Sequence, residues 1–84
     1  MMDSLFVFSR LPSEDQLRLL QTQSQAKVLL LGQAIYTPPA LLKNRTVLLL
    51  AEEVEELGGA PAGFTAQPSS EVMETVLTHK LFNF

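Results

Sequence analysis

An 84-residue chain without cysteine has no thiol nucleophile, no persulfide carrier of its own and no thiolate metal site, and it cannot be stapled by disulfides. A net charge of −3, with Arg10, Arg18, Lys27, Lys43, Arg45 and Lys80 scattered along the chain, argues against the basic stripe that phosphate neutralisation requires, so no direct nucleic-acid partner is expected. No apolar run approaches the roughly 20 residues that span a bilayer, and the acidic start suits no signal peptide, so a cytoplasmic protein with no membrane partner is expected.

In chain order, residues 4–9 combine aromatic and β-branched side chains and read as a strand. Ser13 then precedes Glu14 and Asp15, with Gln16 three residues on. That is a capping box, with acidic residues at the positive end of the helix dipole. Leu17 and Leu20 lie one turn apart, and the helix is expected to run to about residue 24. Residues 28–31 and 47–50 are continuous apolar runs without alternation. A strand apolar on both faces is buried on both faces, as in a parallel sheet covered by helices.

Between those two runs, Pro38 and Pro39 leave room for only a helical turn through residues 40–43. Residues 51–57 form an acidic helix stopped by Gly58 and Gly59. A weak fourth strand is expected around residues 63–66. A last helix is expected after Pro68, with Val72, Met73, Val76 and Leu77 on its buried stripe and the helix continuing toward Lys80. The sum is one domain over residues 1–84, a small three-layer α/β fold with a mostly parallel four-stranded sheet flanked by helices.

Chemistry-bearing residues are few. His79, the single histidine, falls in the last turn of the last predicted helix, where a cation suits the helix dipole. One histidine and no cysteine make no zinc site. Glu52, Glu53, Glu55 and Glu56 spread around a helix and read as a solvated acidic face. The turn after the first strand contains no glycine and the one after the second only Gly32, so neither is a nucleotide-phosphate loop. No catalytic residue, metal ligand or cofactor is assigned, and the chain is expected not to be an enzyme.

Hydrophobic residues make up 46 % of the chain and charged ones 18 %, where about 25 % charged is usual. Small domains expose proportionally more surface and bury only some 60–65 % of it, so the shortage of charge points to apolar surface meant for another polypeptide. Ile35 and Tyr36, before the two prolines, and Phe82 and Phe84, near the last residue, are the candidate partner interface. The two phenylalanines either fold back on their own core or pack on a neighbour.

Four stretches resemble, in order and spacing, the TusB/DsrH family of sulfur-relay proteins. Leu5-Phe6-Val7-Phe8-Ser9 with its following helix is similar to the family's opening strand and turn. Val28-Leu29-Leu30-Leu31 with Ala34-Ile35-Tyr36 resembles its second apolar strand, although Gln33-Ala34 stands where the family has an acidic residue and Gly. Residues 47–58 resemble the strand that runs into a short acidic helix ending at Gly. Residues 72–84 resemble the closing helix, with Phe84 where the family usually has Trp. The resemblance implies a non-catalytic subunit of a heterohexamer with DsrE/DsrF-like (TusC/TusD-like) sister subunits. That assembly passes persulfide sulfur toward 2-thiouridine at the tRNA wobble position, or toward cytoplasmic sulfur oxidation. Some members carry a cysteine in the first helix; this chain has none near Leu17 and Arg18, so sulfur carriage is not implied here. The alternative is a stand-alone homo-oligomeric α/β binding or regulatory protein.

Overall fold

The computed structural model describes residues 3–23, 25–42, 45–56, 58–59 and 64–84. Five strands, β1 (Ser4–Phe8), β2 (Lys27–Leu30), β3 (Val47–Leu50), β4 (Thr65–Gln67) and β5 (Lys80–Asn83), form one sheet in the order β4-β3-β2-β1-β5. All four pairings are parallel. The helices are α1 (Glu14–Gln21), α2 (Ala51–Glu56) and α3 (Ser69–Thr78), with 3-10 turns at Gly32–Tyr36 and Pro39–Leu42. The α/β class expected from the unbroken apolar runs is the class observed, but the sheet has five strands rather than four. The fourth strand is Thr65–Gln67; the expected start of that strand at Gly63 lies outside the described residues.

In-phase register explains the two apolar cores. Phe6 aligns with Val28, which aligns with Val47, and Phe8 with Leu30, so alternate residues of three strands share each face. On the first face Phe6, Phe8, Val28, Leu30, Val47 and Leu49 meet Leu17 and Leu20 of α1, Ala34, Ile35 and Leu42 of the two turns, and Val54 of α2. On the second face Leu5, Leu29 and Leu48, with Val7, Leu31 and Leu50 partly buried, meet Val72 and Val76 of α3 among the described residues. The reason is connectivity. The sheet grows from β1 to β4 in one direction, with α1, the 3-10 turns and α2 on one side. α3 must carry the chain back across the whole sheet to β5, and a right-handed return places it on the opposite side.

α1 starts as the sequence indicates: Ser13 Oγ accepts from Gln16 N–H at 3.2 Å and Gln16 Oε1 accepts from Ser13 N–H at 2.9 Å. It ends at Gln21, earlier than expected, with Thr22 as its C-cap; the expected end at residue 24 lies outside the described residues, and a distant group bonds the carbonyls at this end. The Arg45 guanidinium, just before β3, donates to the carbonyls of Gln23 and Ala26, each at 2.8 Å, and of Leu20 at 3.1 Å. Partial burial pulls its pKa below the ordinary arginine value, yet a guanidinium keeps its proton in proteins, so a cation caps the negative end of the helix.

The second correction concerns the last residues. α3 stops at Thr78, His79 is extended at φ −123° and ψ 156°, and Lys80–Asn83 pairs with β1 rather than prolonging the helix. Lys80 N–H donates to Asp3 O and Phe84 N–H to Val7 O, both at 2.9 Å. The open edge of β1 supplies these partners, and sequence periodicity carries no information about it. Met73 and Leu77, expected on the buried stripe of α3, are exposed; Val72 is buried and Val76 partly so.

Candidate functional site: the carboxyl ends of the strands

In an open parallel sheet, ligands sit beyond the carboxyl ends of the strands, at the point where the strand order reverses. Here that point lies between β1 and β5, and Phe84 fills it. Its ring stacks at 5.5 Å on Phe6 and 5.1 Å on Phe8, while its carbonyl accepts from Ser9 Oγ at 3.3 Å. Phe82 lies 5.0 Å from Phe6. Both phenylalanines fold back on the chain's own core and are partly buried there.

The other pair of candidate interface residues is divided. Ile35 is 3 % exposed and belongs to the core, whereas Tyr36 is 64 % exposed. The division follows from the 3-10 turn Gly32–Tyr36. Ala34 and Ile35 point inward, and the buried Thr37 donates from Oγ1 to Ala34 O at 2.6 Å. The hydrogen bond closes the turn on itself, the buried Ala34 and Ile35 seat it on the core, and Tyr36 is left exposed.

Tyr36 lines an open cleft of about 270 Å³ together with Gly32, Gln33, Glu53 and Glu56. The cleft stands at the carboxyl ends of β2 and β3, where the 3-10 turn and α2 begin. Gly32 adopts φ +53°, a left-handed conformation that glycine takes without penalty. Its N–H donates to Glu53 Oε2 at 2.7 Å, so one carboxylate of the acidic helix is fixed against the sheet. Glu53 is half-buried; Glu52, Glu55 and Glu56 are exposed. The reading of α2 as a solvated acidic face therefore fits three of its four glutamates. No sequence signal singles out Glu53, because its partner is a backbone N–H 21 residues away.

A second exposed surface lies on the α3 side. Met73 and Leu77 are turned one helical position, about 100°, from the buried Val72 and Val76. In a right-handed return that flank faces the β5 edge. Leu81, aligned with Leu5, belongs to the same side of the sheet. Met73, Leu77 and Leu81 are all exposed, Leu77 by 75 %.

His79 caps α3 rather than occupying its last turn. Its Nδ1 lies 2.8 Å from Thr75 O and 3.0 Å from Thr78 Oγ1. A carbonyl only accepts, so Nδ1 carries the proton and cannot draw one from the threonine. Nε2 is buried without a hydrogen-bond partner among the described residues. Thr78 Oγ1 donates to the Glu74 or Thr75 carbonyl, at 3.1 and 3.2 Å. This arrangement ends a helix and does not activate a nucleophile. Among the described residues no three His, Asp or Glu side chains converge as metal ligands, and no helix is long and apolar enough to cross a membrane. Comparison with protein-family models, curated proteins and solved structures gives no match to this chain.

Proposed function

We propose that this chain is a non-catalytic subunit of a cytoplasmic sulfur-relay assembly, built with sister subunits of DsrE/DsrF (TusC/TusD) type and serving tRNA 2-thiouridine formation or sulfur oxidation. The observation that carries the reading is the uncovered apolar strip of Met73, Leu77 and Leu81 beside an open sheet edge on a chain with no cysteine. Such a surface suits attachment, and the absence of a thiol assigns the persulfide to another subunit. The resemblance in order and spacing over most of the chain supports the choice of assembly. The test is native mass measurement of the chain expressed alone and together with TusC- and TusD-type subunits. A stable hetero-oligomer is expected, and a strict monomer indifferent to both partners would overturn the reading. The cleft beside the first 3-10 turn favours a second reading, a homo-oligomeric α/β binding or regulatory protein; self-association with indifference to the sister subunits would select it.

A further inference from the structure

Independently of the relay reading, we infer that the cleft between the first 3-10 turn and α2 is a receptor for a single organic cation, a guanidinium or alkylammonium group. Each group that lines it is suited to a cationic N–H donor. Glu53 and Glu56 offer carboxylates, Gln33 an amide oxygen and Tyr36 an aromatic ring with a phenol oxygen. Carboxylates accept strongly from charged N–H groups, and an aromatic ring adds its negative face. Among the described residues, no lysine or arginine lines the cleft.

What separates this cleft from an ordinary acidic helix surface is the way its two walls are held. Tyr36 projects at 64 % exposure from a turn whose other apolar members are buried, so the ring is displayed on a rigid base and keeps a large uncovered apolar area. In the same cleft, Glu53 has Oε2 fixed by Gly32 N–H at 2.7 Å, and a carboxylate has a second oxygen that can accept from an incoming donor. A held carboxylate sharing a cleft with an exposed aromatic residue suits ammonium and guanidinium groups. The volume of about 270 Å³ lies just below the roughly 300–1,000 Å³ of pockets for drug-sized ligands. It suits one side-chain-sized cation.

The decisive experiment is an amide-resolved NMR titration of the whole chain with three probes. These are Nα-acetyl-arginine amide for a peptide-borne guanidinium, butylamine for a free amine, and Nα-acetyl-citrulline amide as the neutral isostere of the first. Saturable shifts are expected at Gly32, Gln33, Tyr36 and Glu53 with one or both cations and not with citrulline. Preference between the cations then tells a protein side chain from a small amine as the source. Glu56→Gln, which leaves the Gly32–Glu53 hydrogen bond in place, is expected to weaken binding about fivefold, and Tyr36→Leu about threefold. Well-dispersed spectra of both variants secure the comparison. Equal shifts from the citrulline probe, or shifts spread evenly over Glu14, Asp15, Glu71 and Glu74, would overturn the inference while leaving the relay reading untouched.

Discussion

The two faces of the sheet are built from the same strands and finished differently. The first is covered by α1, both 3-10 turns and α2, and is filled by the aromatic group of Phe6, Phe8, Phe82 and Phe84. Among the described residues the second is roofed by α3 over a row of leucines, and apolar side chains on its flank remain exposed. Apolar area removed from water stabilises at about 25 cal/mol per Å², so the first face dominates the stability of the isolated chain. The second face leaves Met73, Leu77 and Leu81 exposed on its side, while the elements that cover the first leave Leu19, Tyr36 and Leu41 exposed.

The largest expected effect lies at the centre of the first face. Phe6→Ala removes a ring that touches three other phenylalanines and should cost about 3–5 kcal/mol. A domain this small has a total stability near the lower end of the usual 5–15 kcal/mol. Urea unfolding followed by circular dichroism should show the variant largely unfolded in buffer. On the second face, Val72→Ala should cost only about 1–2 kcal/mol. Equal losses at the two sites would break the contrast between the faces.

Arg45 holds the first face from its rim. Arg45→Met keeps the aliphatic length and loses three hydrogen bonds to carbonyls, at an expected cost of about 1.5–3 kcal/mol. Arg45→Lys should recover only part of that, because an ammonium lacks the planar fork; denaturant midpoints of the three proteins measure the difference. Ser13→Ala removes the capping oxygen of α1 and should cost about 1 kcal/mol by the same assay. The smallest effect on folding is expected for Leu77→Ser, within about 0.5 kcal/mol of the parent. Under the proposed relay function, its consequence should appear instead in association with TusC- and TusD-type subunits, read as a weaker complex by native mass. A variant that unfolds readily would show that α3's flank already supports the fold.

Local physics made part of this legible from the residues. The capping box at Ser13 and Gln16 is complete within four residues, and the unbroken apolar runs of β2 and β3 leave no reading other than burial on both faces. The edge strand β5 was not legible. Lys80-Leu81-Phe82-Asn83 continues a helical pattern, and only the unpaired backbone of β1 makes it a strand. Likewise Ile35 and Tyr36 are adjacent and both apolar in character, but a 3-10 turn closed by Thr37 sends one inward and one outward.

By itself the sequence determined the α/β class, the start of α1 and the burial of the two central strands, since each depends on residues within a few positions of one another. Tertiary structure alone decided the fifth strand, the placing of Phe84 in the crevice, the fixing of Glu53 and the capping of α1 by Arg45. Those outcomes join groups some 20 to 75 residues apart along the chain, and such pairings exist only once the sheet has brought them together.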